Sequence, residues 1–204
     1  MISIVDYGLG NIRAFLNVFR RLNVDAAAVT TASELARATK VILPGVGHFD
    51  HAMERLQHSG MRHALDDLVM TRRIPVLGVC VGMQILARSS DEGAHPGLGY
   101  IAGQVRSLAS VDPARNLPLP HMGWNDVRPV TGNPLFADLE HDARFYFLHS
   151  FYFECERTQD AAAVSHYGAD FSAAVSADNV HGVQFHPEKS HHFGARLLKN
   201  FADL

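Results

Sequence analysis

Apolar runs typical of β-strands alternate with amphipathic stretches through the N-terminal part of the chain. The runs predict strands, and the stretches between them, whose apolar residues recur at helical spacing, predict helices. This alternation is typical of an α/β fold with a mainly parallel sheet and flanking helices. The predicted strands cover residues 2–6, 26–29, 41–43 and 76–79, and the last of these is expected to be central.

Three helices are predicted between these strands. The first begins after Asn11, a residue type that caps helix N-termini well, and continues to Leu22. The spacing of its apolar residues predicts one buried stripe made of Ile12, Phe15, Leu16 and Phe19. The other two helices are expected over residues 33–38 and 61–72.

The second half of the chain, after about residue 97, is richer in strand-forming sequence. Asp178 and Asn179 separate the last two predicted strands and predict a hairpin. A closing helix presents Phe193, Leu197 and Phe201 on one face. No repeat or linker interrupts the chain, so a single domain over residues 1–204 is predicted. The strands expected in this half cover residues 144–149, 151–154, 161–166, 173–177 and 180–185.

Composition excludes several classes of function. With 204 residues and 47% hydrophobic content, the chain can bury a substantial core. Lys plus Arg number 18 and Asp plus Glu number 21, so the net charge of -3 gives no basis for binding nucleic acid or an anionic membrane. No apolar run is long enough to span a bilayer, and the N-terminus lacks the basic start of a secretory signal. A cytoplasmic protein is therefore predicted.

Cys80 lies in the run G-V-C-V-G at residues 78–82, where a predicted strand meets helix-like sequence. Glycines two residues before and after a nucleophile are typical of a nucleophile elbow, because this sharp turn leaves room only for small neighbours. A helix N-terminus also favours thiolate over thiol. The alternative is a buried packing cysteine, which is how Cys155 is interpreted. A reducing compartment argues against a disulfide between the two.

A second segment, V-Q-F-H-P-E at residues 183–188, supplies the base that a cysteine nucleophile needs. His186 precedes a proline, which favours extended backbone, and residues two apart in extended chain point the same way. Glu188 is therefore expected to orient His186, leaving the other imidazole nitrogen to exchange a proton with Cys80. The alternative is a surface His-Pro turn followed by a solvated glutamate.

Together, the elbow and the H-P-E run resemble the class I glutamine amidotransferases. The segments D-Y-G-L-G-N at residues 6–11, P-G-V-G at residues 44–47 and above all P-H-M-G-W-N at residues 120–125 resemble one branch of them. That branch is formed by the glutaminase subunits of imidazole glycerol phosphate synthase, and the resemblance covers essentially the whole chain. It implies that Cys80, His186 and Glu188 hydrolyse L-glutamine to glutamate and ammonia, with no cofactor.

The resemblance also implies a partner, because the chain carries no phosphate loop or second domain for using the ammonia. The implied partner is a (β/α)8-barrel cyclase, which would use the ammonia in L-histidine biosynthesis to make imidazole glycerol phosphate and aminoimidazole carboxamide ribotide. A heterodimer is expected. The residues expected to face the cyclase are Asn11, Trp124, Tyr146 and Lys189; the alternatives are a core Trp, a packed Tyr and a surface Lys.

Hydrolysis of an amide also needs donors for the oxyanion. The backbone N–H of Val81, directly after the nucleophile, is expected to be one. By resemblance, the other comes from Val46 and Gly47, in the loop after the strand at residues 41–43. We expect this loop to be unready in the resting state, so that its peptide flips before the oxyanion hole is complete. A simple strand-exit turn is the alternative.

By the same resemblance, several residues are expected to bind glutamine. These residues are Gly45, Gln84, Glu92, His149, Ser150 and Phe151. For two of them an alternative stays open: Gln84 could be an exposed helix residue, and Glu92 could be a solvated loop charge.

The 13 histidines do not predict a metal site, because neither an H-E-x-x-H run nor a Cys/His cluster with zinc spacing occurs. His48 and His51 have helical spacing but no further ligands of this kind beside them. Two alternative functions stay open from sequence. One is a glutaminase subunit of another synthase, such as pyridoxal phosphate synthase, and the other is a non-catalytic docking or regulatory subunit.

Overall fold

A computed structural model of the chain describes residues 1–110 and 117–204, and within them an eleven-stranded sheet forms the centre of the molecule. A separate two-stranded ribbon lies beside it. The strands in chain order are β1 (Ile2–Val5), β2 (Ala26–Val29), β3 (Lys40–Gly45), β4 (Val76–Cys80), β5 (Ser89–Ser90), β6 (Gly103–Ser107), β7 (His121–Asp126), β8 (Arg128–Pro129), β9 (Arg144–His149), β10 (Phe151–Cys155), β11 (Ala161–Tyr167), β12 (Ala169–Ala177) and β13 (Val180–Val183).

The helices flank this sheet. Among them, α1 packs against α6, α2 against α4 and α3 against α5. The α-helices are α1 (Ile12–Arg21), α2 (Ala32–Leu35), α3 (Phe49–His58), α4 (Arg62–Asp66), α5 (Val81–Gln84) and α6 (His191–Asp203). A π-helical turn over Asp67–Thr71 continues α4, and 3₁₀ turns occur at Leu108–Ser110, Pro134–Phe136, Thr158–Asp160 and Pro187–Lys189.

The order of the strands is β2-β1-β3-β4-β13-β12-β10-β6-β5, and β11 pairs with β12 and with β8. Neighbours from β2 to β13 are parallel, whereas β13, β12, β10 and β6 pair antiparallel in succession. The predicted α/β fold with a mainly parallel core and a β-rich second half is thus confirmed. All five residues of β4 are buried, and β4 is central, as predicted.

Helix α1 begins where the sequence predicts, because the Asn11 side chain accepts a hydrogen bond from the Ala14 N–H at 3.2 Å. The buried stripe differs from the prediction. Phe15 and Phe19 are buried as expected, but Val18 is the third buried residue. Ile12 and Leu16 are only partly buried, because they lie at the margin of the face that packs on the core.

The predictions missed one long helix, α3, and the strands β5 to β8. At the C-terminal end of the chain, β12 and β13 form the expected hairpin, with Ala177 opposite Val180. In α6, Leu197 and Phe201 are fully buried, whereas Phe193 is partly buried.

The ribbon of β7 and β9 has one buried and one exposed face. Its inner face packs Phe145 and Phe147 into the core. Its outer face exposes Met122, Trp124 and Leu148 to solvent. The ribbon therefore carries an apolar surface beside the carboxyl end of β4. No helix in the described part of the chain is long and apolar enough to cross a membrane.

Candidate active site

Cys80 lies at the sharp turn between β4 and α5. Its φ of +55° and ψ of -116° are unusual for a residue with a side chain, and such strained backbone is the property that defines a nucleophile elbow. A Cβ on Gly78 would lie 2.5 Å from the carbonyl oxygen of Gly82, and a Cβ on Gly82 would overlap the carbonyl oxygen of Leu43. The two glycines that flank Cys80 are thus required sterically, as the sequence predicts.

His186 and Glu188 are in direct contact. Nδ1 of His186 lies 2.9 Å from Oε1 of Glu188, and only 4% and 3% of their side-chain surfaces are exposed. The backbone conformation predicted to bring these two side chains together was partly wrong. His186 itself is extended, but Pro187–Lys189 forms a 3₁₀ turn, and this turn brings the carboxylate back to the imidazole. The surface turn considered as an alternative is excluded by the burial of both side chains.

The imidazole of His186 also contacts the sulfur of Cys80. Burial lowers the pKa of His186, but the hydrogen bonds with Cys80 and Glu188 outweigh it and raise the pKa to about 9. Imidazolium is therefore favoured beside Cys80 at neutral pH. The three side chains form a Cys-His-Glu arrangement in which a buried carboxylate contacts the imidazole.

The two free cysteines differ in their surroundings. Cys80 is buried among protein atoms yet reaches the wall of a cavity. Cys155 is half-buried on β10, with Sγ 3.9 Å from Oγ of Ser172. Burial raises the pKa of Cys155 to about 11, so its thiol stays protonated at neutral pH. This agrees with the interpretation of Cys155 as a packing residue.

A cavity of about 290 Å³ opens in front of Cys80 and His186. Most of the residues expected to bind substrate or oxyanion line it, together with Pro120 and Leu148, which were not predicted. Gly45 does not line it. This glycine lies opposite Cys80 in the β3–β4 pairing and packs against the backbone of Val81 and Gly82. The predicted residues that line the cavity are Val46, Gly47, Val81, Gln84, Glu92, His149, Ser150, Phe151 and Lys189.

The loop after β3 is held at both ends. The Tyr7 hydroxyl donates to the carbonyl oxygen of Pro44 at 2.6 Å, and Oε2 of Glu92 accepts the N–H of Phe49 at 2.8 Å. Between these points Val46 is exposed, and Gly47 has a φ of +91°, which favours glycine. Because no Cβ contact limits this position, the segment has room to rearrange beside Cys80.

Gln84 is not an exposed helix residue, because only 3% of its surface is accessible. Its Nε2 lies 3.1 Å from the carbonyl oxygen of Phe151 and 3.1 Å from Oε1 of Gln184. Glu92 is also more than a solvated loop charge, since it caps the N-terminus of α3 and lines the cavity. The structure thus brings both residues to the site.

His149 is buried and hydrogen-bonded rather than available as a base. Its Nδ1 lies 2.8 Å from the carbonyl oxygen of Phe151, and its Nε2 lies 2.9 Å from Nδ1 of His121. Burial lowers the pKa of His149 to about 3 and that of His121 to about 4. Both imidazoles are therefore neutral at neutral pH.

Sequence reasoning missed Gln184, a fully buried polar side chain beside the nucleophile. Its Nε2 lies 3.8 Å from Sγ of Cys80. The available signal was a glutamine within an otherwise apolar strand-like run two residues before His186. A buried amide needs hydrogen-bond partners, and the apolar side chains around it in sequence cannot supply them. A glutamine in such a run therefore indicates a polar site nearby.

Of the four residues expected to face a partner, Lys189 lines the cavity, and the Tyr146 ring contacts that of Trp124. Trp124 is 40% exposed, which excludes a core position, and its ring stacks on His191 at 5.3 Å. Nζ of Lys189 lies 6.0 Å from the ring centre of Tyr146, which is half-buried. Asn11 is exposed and caps α1, so its side chain already has a structural task.

No group of three or more His, Cys, Asp or Glu side chains suited to a metal ion occurs within residues 1–110 and 117–204. His48 and His51 do not form a pair of ligands: Nδ1 of His48 accepts the N–H of Asp50 at 3.2 Å and caps α3, while His51 is exposed.

Comparison with known proteins places this site in a family. The family model described as glutamine amidotransferase class-I matches residues 3–204. The imidazole glycerol phosphate synthase subunit HisH of Bdellovibrio bacteriovorus is 59% identical over 204 residues, covering 100% of both chains. The subunits of the same name from Leptospira interrogans and, as HisH 2, from Pseudomonas aeruginosa are 53% and 45% identical, each over 100% of both chains.

Solved structures agree on the fold. A crystal structure of a glutamine amidotransferase has a TM-score of 0.76 at 18% identity and covers 100% of this chain and 99% of that one. A glutamine amidotransferase of Thermotoga maritima has a TM-score of 0.64 at 18% identity and covers 99% of this chain and 82% of that one. At these identities the likeness concerns the fold alone.

The fold, the elbow and the family match define a cysteine-dependent amidotransferase, and the chain belongs to the class I glutamine amidotransferase family. Within that family it belongs with the HisH subunits of imidazole glycerol phosphate synthase, to which it is similar along its whole length. This favours the branch indicated by the P-H-M-G-W-N run over a pyridoxal phosphate synthase subunit.

Proposed function

We propose that this chain hydrolyses L-glutamine to glutamate and ammonia as the glutaminase subunit of an imidazole glycerol phosphate synthase. The observation that carries this proposal is the buried His186–Glu188 pair in contact with Cys80, at the wall of a cavity of about 290 Å³. A non-catalytic docking subunit would have no use for such a pair, because burying an ionised carboxylate and an imidazole costs free energy.

Acylation begins when Sγ of Cys80 attacks the side-chain amide carbon of glutamine. The new carbon–sulfur bond pushes the amide π electrons onto oxygen and gives a tetrahedral oxyanion. His186 then donates its proton to the amide nitrogen, the carbon–nitrogen bond breaks, and ammonia leaves. Glu188 stabilises the charge on His186 before this transfer and holds the ring in position. The product at this stage is a glutamyl thioester on Cys80.

Water then completes the reaction. His186, now neutral, accepts a proton from the water while the oxygen adds to the thioester carbon. Collapse of the second tetrahedral intermediate breaks the carbon–sulfur bond, and Cys80 leaves as thiolate beside the restored imidazolium. The product acid loses its remaining proton to water and is released as glutamate. Both intermediates carry an oxyanion, which receives hydrogen bonds from the N–H of Val81 and from the loop that contains Val46 and Gly47.

The two charged ends of glutamine need different partners in the same cavity. We assign the α-ammonium to Glu92, whose Oε2 accepts the Phe49 N–H and whose Oε1 accepts no hydrogen bond from residues 1–110 and 117–204. The α-carboxylate is assigned to the backbone at His149, Ser150 and Phe151 on the opposite wall. Gln84 fixes the position of that wall through the Phe151 carbonyl. Gly45 acts indirectly, by allowing β3 to pack closely on the elbow.

The ammonia is proposed to pass to a (β/α)8-barrel cyclase in the cytoplasm, because ammonia released into solution is protonated and lost. The apolar outer face of the β7–β9 ribbon, with Met122, Trp124 and Leu148 exposed, suits a protein interface. Leu148 lies both on this face and in the cavity wall. The interface and the reaction site are therefore continuous, and Lys189 and Tyr146 lie at the boundary between them.

Labelling with a glutamine-analogue electrophile such as a diazo-ketone tests the chemistry. We expect one adduct on the peptide that contains Cys80, and loss of glutaminase activity in Cys80→Ala. The matched control is Cys155→Ala, which removes the chain's other free thiol and should keep activity and labelling. Activity retained in Cys80→Ala would exclude the mechanism.

A second experiment tests the partner. The chain should co-purify with the barrel cyclase, and the cyclase's nucleotide ligand should stimulate glutamine hydrolysis. Trp124→Ala should weaken the complex by about tenfold or more, because aromatic residues at interface centres contribute strongly to affinity. Met70→Ala alters an exposed apolar residue outside the ribbon and serves as the control. Stimulation by a pyridoxal phosphate synthase subunit instead would refute the assignment.

A further inference from the structure

Gln184 directly follows β13, and it contacts the nucleophile without taking part in the acylation and hydrolysis steps proposed for Cys80 and His186. It is fully buried, with Nε2 3.8 Å from Sγ of Cys80, a distance at which sulfur accepts a hydrogen bond. Its other amide atom, Oε1, lies 3.1 Å from Nε2 of Gln84. Gln184 thus bridges the reacting sulfur and a residue of the substrate cavity.

The orientation of the two amides follows from their partners. The carbonyl oxygen of Phe151 can only accept a hydrogen bond, so the atom of Gln84 that lies 3.1 Å from it must be the nitrogen. That nitrogen carries a second hydrogen, which is donated to Gln184. Gln184 must therefore present its oxygen to Gln84, and its NH₂ group is directed at Cys80.

The same reasoning extends to the other side of the Phe151 carbonyl. His149 Nδ1 must donate to it, so its Nε2 accepts from Nδ1 of His121. Nε2 of His121 then accepts from Nδ2 of Asn125 at 3.2 Å. This order of donors requires both imidazoles to be neutral, which agrees with the pKa values lowered by burial. One assignment of hydrogens satisfies every member of the network.

We propose that Gln184 is a catalytic residue, which donates a hydrogen bond to the Cys80 thiolate and stabilises it for attack on the amide. In the thiol form, the S–H can donate to the Leu148 carbonyl oxygen at 4.0 Å. A thiol sulfur is only a weak acceptor, so the thiolate gains more from the Gln184 donor. Since hydrogen bonds to charged groups are stronger than those to neutral ones, the contact favours ionisation. The inference rests on the proposed role of Cys80 as nucleophile.

The test is the pH dependence of alkylation of Cys80 by iodoacetamide in the full chain, without glutamine. Only thiolate reacts, so the midpoint reports ionisation of the sulfur. Gln184→Met keeps the length of the side chain and removes the donor. We expect the midpoint to move up by about one pH unit, equivalent to about tenfold slower alkylation at pH values well below the wild-type midpoint. Peptide mapping separates Cys80 from Cys155.

Gln184→Leu is the second variant, and it decides the question if the Met variant does not fold. It also removes the donor and adds no charge beside the sulfur, so its midpoint should rise as far. Ser176→Ala, which removes a part-buried contact between β12 and His181 of β13, should keep the wild-type midpoint. A wild-type midpoint in a folded Gln184 variant would overturn the inference.

The outcomes also separate this inference from the function on which it rests. If Gln184 only positions Gln84, Gln184→Met should keep the wild-type alkylation midpoint and raise only KM for glutamine. If Cys80 is not the nucleophile, Cys80→Ala retains glutaminase activity whatever the alkylation midpoints of the Gln184 variants are.

Discussion

His186 Nδ1 and Glu188 Oε1 lie 2.9 Å apart, and a 3₁₀ turn rather than extended chain brings them together. Because both side chains are buried, the carboxylate has a strong influence on the imidazolium. Glu188→Gln removes the charge and keeps the size. We expect kcat for glutamine hydrolysis to fall by about 10²-fold, with KM little changed.

The matched control for this prediction is Glu54→Gln. Glu54 Oε1 also contacts a histidine, Nε2 of His95 at 3.1 Å, but this pair is about half exposed and lies outside the cavity. Its removal should leave kcat within about twofold of the wild type, as expected for a surface pair. Equal losses in the two variants, measured by glutamate release, would show that Glu188 has no specific role.

The Tyr7–Pro44 hydrogen bond predicts a second effect. Tyr7 is buried, burial raises the pKa of its hydroxyl, and the hydroxyl donates to the Pro44 carbonyl, where the loop beside Cys80 begins. Tyr7→Phe leaves that carbonyl without this donor. We expect the free energy of unfolding to fall by about 1–2 kcal/mol and kcat to fall by about tenfold, because the loop is less well positioned.

Tyr167→Phe provides the comparison. Its hydroxyl also donates to a proline carbonyl, that of Pro118, but at an exposed site. Urea titration and steady-state kinetics should show near wild-type behaviour for this variant. If Tyr7→Phe loses stability without losing kcat, the contact stabilises the fold and does not position the loop.

The β1–β4 half of the fold could be predicted because its signals are local. In β4, five successive buried residues give a continuous apolar run, which is typical of a parallel strand covered on both faces. The glycines around Cys80 are equally local, since they are demanded by the turn itself. The family resemblance then identified candidate site residues, such as Glu92, that no local sequence pattern indicates.

Helix α3 was missed although its pattern was present. Phe49, Ala52, Met53 and Leu56 are buried at the spacing expected of one helix face. The N-cap is His48, which is not among the residue types that usually mark a helix start. The start of α3 is therefore not marked by a usual capping residue.

The polar network behind the cavity could not be predicted from local sequence. Gln84 and Gln184 are 100 residues apart, and Cys80 and Gln184 are 104 apart. Their contacts arise because β4 and β13 are neighbours in the sheet, with Val79 opposite Val183. Only the pairing of these two strands places the amide of Gln184 against the sulfur.

The close packing of β3 on the elbow makes Gly82 sensitive to substitution. A Cβ there would overlap the Leu43 carbonyl oxygen, which is rigid backbone. Gly82→Ala should therefore displace β3 or the turn, lower the free energy of unfolding by about 1–3 kcal/mol and abolish most glutaminase activity.

Gly60→Ala separates this steric effect from the general cost of replacing glycine. Gly60 has a φ of +72° and no atom near its Cβ position, so alanine there strains the backbone by about 1–2 kcal/mol without a clash. We expect comparable destabilisation but full activity, measured well below the melting temperature. Retained activity in Gly82→Ala would mean that the elbow tolerates a wider approach of β3.

The buried histidines predict how stability depends on pH. Burial lowers the pKa of His181 to about 4, whereas in the unfolded chain it is about 6.5. Below pH 6.5 the unfolded chain binds a proton that the folded chain does not, so the free energy of unfolding falls as pH drops from 6.5 towards 4. Above pH 6.5 this residue contributes no pH dependence.

His181→Gln removes this contribution and retains a partner for Oγ of Ser176, which lies 2.8 Å from His181 Nδ1 in the wild type. Between pH 6.5 and pH 5 the variant should lose about 1–2 kcal/mol less stability than the wild type. Urea titrations at the two pH values measure the difference. The effects of the acidic side chains on stability cancel, because both proteins contain the same ones. His51→Gln, at an exposed position on α3, should follow the wild-type curve. Parallel losses in His181→Gln and the wild type would show that acid destabilisation arises elsewhere, with the neutral His121–His149 pair as the next group to test.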